Sequence, residues 1–368
     1  MSAIRSCERL LKQRSAASIK GVVLLGLIAI PAVAYAEPQI CSAPLHAAVS
    51  RLIDSEVSVD AEPKLPNFME SSALDQIEGA YGRYLAQRSK TSDGRWKSEI
   101  LADEALTRLA ELGTRSEKID WSVPRSLTLK WADSAPNSAL ARVLYAGILV
   151  RQAIHATAYD DDFVSLTQAK RQPERDLLLR QADAYLEAET AVASRDPEYY
   201  ATRMRIALLH NDGAKLERTF DQAMAKFPDY YPLYSLRLGG RAIPLDEDGV
   251  ERLARQAVLR NPASEGRVLY ARIYGDYAEN NLMDQESLFA MSKVRWTEMK
   301  AGFEDLVQRY PDQKNLQTYA KFACFAGDSF KLYTLLHCMQ APLREVWTRQ
   351  SLFDACHELG LTHTPVTL

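Results

Sequence analysis

The chain has 368 residues, 47% of them hydrophobic and 25% charged, which is the composition of a globular protein rather than a disordered or collagenous one. Glycine is scarce, at 16 residues, and few stretches alternate apolar and polar side chains, so a β-rich fold is excluded. The net charge is −3, with no basic tract in the body of the chain; duplex nucleic acid, whose binding rests on phosphate neutralisation, is excluded as a partner.

Residues 1–36 read as a secretory signal. The cations Arg5, Arg9, Lys12, Arg14 and Lys20 precede an apolar core from Gly21 to Ile30, then Pro31 and the small-residue exit Ala34-Tyr35-Ala36. That form predicts cleavage between Ala36 and Glu37 and a periplasmic or secreted product. The apolar run is shorter than the ~20 residues a spanning helix needs, so no stable membrane span is expected after cleavage. Four cysteines stay with the mature chain: Cys41, Cys324, Cys338 and Cys356. In an oxidising compartment all four are disulfide candidates. Three connectivities are open. Cys324 and Cys338 stand at unequal distances from a turn at Gly327-Asp328, which favours Cys356 as the partner of one of them.

Residues 37–66 form an N-terminal segment with one short helix expected at Leu45–Ile53 and a proline-containing linker. An N-terminal helical region, residues 67–134, follows. Its helices are expected over Met69–Gln87, over Lys97–Leu112 and from Ser122, as cap, to about Trp131.

Residues 135–360 carry a recurring pattern. Leu216, Phe220, Ala223, Met224 and Phe227 lie on one helical stripe and are followed by Pro228-Asp229. Met299, Phe303, Leu306, Val307 and Tyr310 repeat the same offsets before Pro311-Asp312. Weaker copies end at Asp196-Pro197 and Asn261-Pro262, and Ala135-Pro136 is expected to start a further helix. Each proline is expected to open the helix that follows. Two of the intervals between prolines lie close to the ~34 residues of a helix–turn–helix repeat; the others are longer by an insertion. Arg142-Val-Leu-Tyr-Ala-Gly-Ile148 and Arg267-Val-Leu-Tyr-Ala-Arg-Ile273 nearly repeat one another, each ahead of an insertion, at about 155–175 and 277–293. Asn211-Asp-Gly213 and Gly327-Asp328 read as turns between helices, and Asp248-Gly-Val-Glu251 as a capping box. Residues 361–368 are a C-terminal tail. The expected fold is all-α, a solenoid of antiparallel helix pairs with two long insertions.

This helix-pair pattern resembles the tetratricopeptide-repeat (TPR) superfamily. Asp93-Gly-Arg-Trp-Lys97, Met299-Lys-Ala-Gly-Phe-Glu-Asp-Leu306 with Tyr310-Pro311, and Phe322-Ala-Cys-Phe-Ala-Gly-Asp328 resemble, more narrowly, a bacterial family of TPR-like domains with no assigned function. The resemblance implies a fold; it brings no reaction and no catalytic residues.

Motifs of chemistry are few. The sequence holds no Gly-x-Gly, Gly-Lys, Gly-x-Ser-x-Gly or Cys-x-x-Cys, so dinucleotide, Walker A, serine-elbow and thioredoxin-type sites are not expected, and no cofactor is. His357-Glu358 lacks a second histidine at position 361, which is Leu361; His363 falls on another face. His337-Cys338 and Cys356-His357 have the side chains zinc takes, but adjacent helical residues diverge by about 100°, so buried or bridged cysteines beside surface histidines are expected and no metal site. Asp160-Asp161-Asp162 reads as a solvated loop, and Asp246-Glu247-Asp248 as negative charge at a helix start. Tyrosine and arginine are the residues with binding character. Tyr199, Tyr200, Tyr230, Tyr231, Tyr234, Tyr270, Tyr274, Tyr277 and Tyr319 gather where first helices of pairs are expected, with arginines between them. Arg203, Tyr234, Arg237, Tyr270 and Arg272 are the expected partner-binding residues. The resulting expectation is an exported, non-catalytic TPR-like scaffold for a protein or peptide of the cell envelope. The alternative is a small-molecule-binding or enzymatic helical domain with a site formed by the insertions near Asp160–Asp162, with His155 and His210.

Overall fold

A computed structural model describes residues 73–114, 119–158, 166–239 and 242–362, without the side chains of residues 157–171. The signal, the segment 37–66, Cys41, Asp160–Asp162 and His363 lie outside the described residues. Among those residues every regular element is helical, and the β structure is one isolated bridge between Lys90 and Trp96. The first helices are α1 (Ala73–Ala86), α2 (Lys97–Thr114), α3 (Ser122–Ser134), α4 (Ala139–Ala158), α5 (Leu166–Ala188) and the single turn α6 (Thr190–Ala193). Then come α7 (Pro197–Leu209), α8 (Gly213–Lys226), α9 (Tyr231–Arg237), α10 (Glu247–Arg260) and α11 (Val268–Asn280). The last are α12 (Trp296–Arg309), α13 (Gln313–Phe325), α14 (Ser329–Leu336) and α15 (Gln350–Leu361).

Short aspartate caps start many of these helices. Asp196 Oδ1 accepts the Glu198 N–H at the start of α7, with Pro197 in the first turn, where its missing N–H is harmless. Asp212, Asp312 and Asp328 cap α8, α13 and α14 in the same way. Asn211 and Gly327 take the left-handed conformation that lets one helix stop and the next begin, as the two turn signals predicted.

Several local expectations are corrected. Ser122 is the first residue of α3 rather than its cap; the Asp120 carboxylate accepts its N–H at 2.9 Å. Asp246, not Asp248, caps α10, accepting the Gly249 N–H, so Asp248 sits in the first turn with Glu247. Only Pro197 opens its helix among the junction prolines. Pro136 lies in a turn, and Ser138 supplies the first oxygen of α4 by accepting the Ala141 N–H. Pro228, Pro262 and Pro311 follow a helix end, and the next helix starts two or more residues later. The insertions are also smaller than expected, because α4 continues to Ala158, α5 begins at Leu166, and α11 runs to Asn280. Leu288, inside the second insertion, is fully buried.

Packing follows the apolar stripes. Leu216, Phe220, Ala223 and Met224 of α8 and Met299, Phe303, Leu306 and Val307 of α12 are all buried. Successive helices pack on one another: α7 on α8, α10 on α11, α11 on α12, α12 on α13 and α13 on α14. The buried side chains form two cores, and α4 belongs to both. Its Leu140, Ala141, Leu144 and Ile148 face a smaller core with α1, α2 and α3. Its Val143, Ala146, Leu149 and Val150 face a larger core that extends from α5 to α15. A helix apolar on both sides is the type that ends up between two layers. A disulfide between Cys324 and Cys356, with a Cα separation of 5.5 Å, ties α13 to α15. This is one of the pairings the turn geometry favoured.

Candidate functional site

Two surfaces stand out, one occupied by the chain itself and one open. The occupied one is built by residues 87–97, the turn between α1 and α2. Thr91 N–H donates to the Arg95 carbonyl, Gly94 N–H to the Thr91 carbonyl and Lys97 N–H to the Ser89 carbonyl, closing a tight hairpin. Gly94 has φ +83°, and a Cβ there would lie 2.6 Å from the Tyr310 ring, so glycine is required on both counts.

Tyr81 and this hairpin meet a carboxylate at four of the junctions between later helices. Tyr81 of α1 donates to Asp196 Oδ1 between α6 and α7 at 2.7 Å. Arg88 pairs with Asp229 between α8 and α9 at 2.8 Å. Lys90 approaches Glu265 between α10 and α11 at 3.5 Å, and Ser92 donates to Asp312 between α12 and α13 at 2.8 Å. The junction aspartates and glutamate therefore receive the N-terminal residues in chain order. Arg272 adds the main-chain clasp: its guanidinium donates to the carbonyls of Asp93 (2.9 Å) and Gly94 (3.1 Å) and lies between the Tyr231 and Tyr310 rings. Asn315 donates to the same Asp93 carbonyl at 3.2 Å.

The interior of this seam is polar and imperfectly paired. Lys90 Nζ sits 3.6 Å from the centre of the Trp96 ring, and Tyr310 donates its hydroxyl proton to Glu265 Oε1 at 2.9 Å. Lys90 Nζ, Trp96 Nε1 and Glu265 Oε2 are buried and make no hydrogen bond. Burial pushes the Lys90 ammonium down to about 8, with Glu265 opposing that shift and Arg272 adding to it. At the α6–α7 junction, burial raises Asp196 to about 7 against the hydrogen bonds from Tyr81 and the Glu198 N–H. Burial, with the Glu198 charge, takes Glu99 to about 7 as well. Glu198 itself accepts from Tyr230 at 2.7 Å and pairs with Arg205 at 3.2 Å.

The open surface is a groove of about 430 Å³ between α10, the start of α11 and α12. Val258, Leu259, Tyr270 and Ala301 give it apolar walls; Arg255, Arg267 and Glu298 supply charge. Leu259, one of the lining residues, is 77% exposed. Arg255 is held between Glu251 (2.5 Å) and Glu298 (3.0 Å). Arg267 makes a two-pronged contact with Asp305, both arms at 2.8 Å. Tyr270 donates to Glu251 at 3.1 Å, and burial pushes its hydroxyl up to about 12.

The five expected partner-binding residues are thus dispersed. Tyr270 lines the groove with its ring almost entirely buried. Arg272 holds the hairpin of its own chain. Tyr234 is fully buried, its hydroxyl donating to the Pro228 carbonyl at 2.6 Å, so it is a packing residue and not a groove residue. Arg203 is held by Asp183, Glu187 and the Tyr199 hydroxyl, and Arg237 pairs with Glu217. Tyr199, Tyr200, Tyr230, Tyr274, Tyr277 and Tyr319 are buried as well. The tyrosines build the core: Phe303, for example, stacks on Tyr319 and Phe322. Sequence reasoning missed Lys90, Glu265 and Leu259. The junction carboxylates had a visible signal in Pro228-Asp229 and Pro311-Asp312, although nothing there revealed what they bind. Cys338 is buried, and His337 and His357 lie against Tyr333 and Phe353. Among the described residues no group of three or more His, Cys, Asp or Glu is placed to hold a metal ion. Among them, too, no helix is long and apolar enough to cross a membrane.

Compared with family models, with curated proteins and with solved structures, the chain matches none.

Proposed function

We propose that this chain is an exported scaffold of TPR-like helix pairs that holds a protein or peptide of the cell envelope, without catalysing a reaction on it. The observation that carries the reading is the groove between α10 and α12. It joins an exposed leucine and a tyrosine to two arginines already paired with acidic residues of the chain, an arrangement that suits a partner segment with an apolar anchor and a polar flank. The pattern of proline-marked junctions supports helix pairs stacked as a solenoid. The leader with its Ala34-Tyr35-Ala36 exit and the Cys324–Cys356 bridge support an oxidising compartment outside the cytoplasm.

The test is a photoreactive amino acid at position 259 in intact cells, followed by purification and mass spectrometry. The expected result is one envelope protein crosslinked in near-stoichiometric amount, and loss of that product when Arg255 and Arg267 are both replaced by glutamate. A clean, uncrosslinked monomer from position 259 would remove the groove from consideration and leave the small-molecule reading.

A further inference from the structure

Residues 88–92 of the hairpin are a poor fit to the surface they cover. Their neighbours present a row of carboxylates, Asp229, Glu265 and Asp312, one per helix junction. The central member, Glu265, is 4% exposed and uses only one oxygen, which accepts from Tyr310 and faces Lys90; Oε2 is buried without a donor. The Trp96 indole N–H, 3% exposed, is buried without an acceptor, under an ammonium whose carboxylate partner is Glu265 Oε1 at a long 3.5 Å. A lysine is a single point of charge on a flexible stem. A guanidinium is a planar fork that reaches both oxygens of a carboxylate and stacks on an aromatic ring. The missing donor at Oε2 is therefore what an arginine supplies and Lys90 does not, while the Trp96 face that Lys90 now occupies takes a guanidinium as readily. The flanking pair is also weakly held, since Arg88 is 66% exposed in its contact with Asp229.

We propose that Asp229, Glu265, Asp312 and Trp96 form a docking surface for an arginine-bearing segment of a protein partner, and that residues 88–92 are its resident, weaker occupant. The resident holds the surface in the free protein, and the partner displaces it by pairing both oxygens of Glu265. This surface is separate from the α10–α12 groove, so the proposal stands or falls independently of the groove.

The probe is a fluorescent peptide of sequence Gln-Arg-Ser-Arg-Thr-Ser-Asp, which is residues 87–93 with arginine in the place of Lys90, titrated into the full chain by anisotropy. Lys90→Ala, which removes the resident's central side chain, is expected to tighten binding about tenfold, because less of the surface is already taken. Lys90→Arg, which improves the resident, is expected to weaken it by a similar factor, and Glu265→Gln to abolish it. Equal affinity for wild type, Lys90→Ala and Lys90→Arg, or undiminished binding by Glu265→Gln, would overturn the proposal. Hydrogen exchange on the unmodified chain gives a reading that no variant's folding affects. Saturating peptide is expected to accelerate exchange at the Thr91 and Gly94 amides, which the hairpin bonds protect. Unchanged exchange at those two amides would overturn it equally.

Discussion

Asp196 does two things with one carboxylate: Oδ1 caps α7 through the Glu198 N–H and accepts the Tyr81 hydroxyl. Both bonds favour the charged form, yet complete burial wins and lifts the group to about 7. A carboxyl raised in the folded state binds a proton there that the unfolded chain has already lost. Its contribution to stability is full below the unfolded value of ~4 and is lost as the pH rises through 7. Glu99 acts in the same direction over the same window. Lys90 has the opposite sign, since its depressed value favours the folded state only above about 8. Asparagine at position 196 keeps an oxygen for the cap and for Tyr81 but cannot ionise. The stability of Asp196→Asn relative to wild type should therefore improve between pH 5 and pH 8, by on the order of 2 kcal/mol. Urea denaturation at the two pH values checks this, and a pH-independent difference would show that Asp196 does not titrate there.

Helices were more legible in the sequence than the surfaces they carry. The stripes of α8 and α12 appear as predicted because burial of one face is a local property of spacing. The start of α10 was misplaced by two residues because Asp246 and Asp248 are equally good caps on paper, and only the backbone turn at Leu245-Asp246 chooses. Tyr234 was misread because tyrosine is at home both in a groove and in a core, and its carbonyl partner at Pro228 is invisible to periodicity. Arg272 was expected to bind a partner, and its guanidinium is instead engaged by the main chain of Asp93 and Gly94 far upstream. At this scale the disulfide is the sharpest test. It closes a loop with a sequence separation of 32 and fixes α15, which otherwise packs on α13 and α14 at the end of the larger core. A loop of that length predicts a loss of about 3–4 kcal/mol when this bridge is removed. Chemical unfolding of Cys324→Ala/Cys356→Ala beside the wild type, both without reductant, should show it; coincident curves would mean the bridge constrains nothing.

At the scale of the molecule, the two cores are joined in two ways: through α4, which has a face in each, and through the hairpin clasped by Arg272. The first linkage is apolar; the second combines hydrogen bonds with Trp96, which packs on Tyr230 in the larger core. Arg272→Ala removes two hydrogen bonds to buried carbonyls and the contacts with Tyr231 and Tyr310, together about 2–3 kcal/mol. It should loosen α1 and α2 selectively. Hydrogen exchange is expected to rise there by ten- to a hundredfold, with α12 and α13 unchanged. Uniform loss of protection across all helices would instead mean that the molecule unfolds as one unit.

The order of the junction contacts has a temporal meaning. Arg88 is separated from Asp229 by 141 residues, and Ser92 from Asp312 by 220. A ribosome adding 5–20 residues per second leaves Arg88 waiting roughly 10–30 s for its carboxylate. During that interval the side chains of Arg88, Lys90 and Ser92 have no junction carboxylate to meet. Tyr81, Arg88, Lys90 and Ser92 meet Asp196, Asp229, Glu265 and Asp312 in matching chain order, so synthesis makes their acceptors available one junction at a time. The contacts of the front of the chain can be complete only once the back has been made.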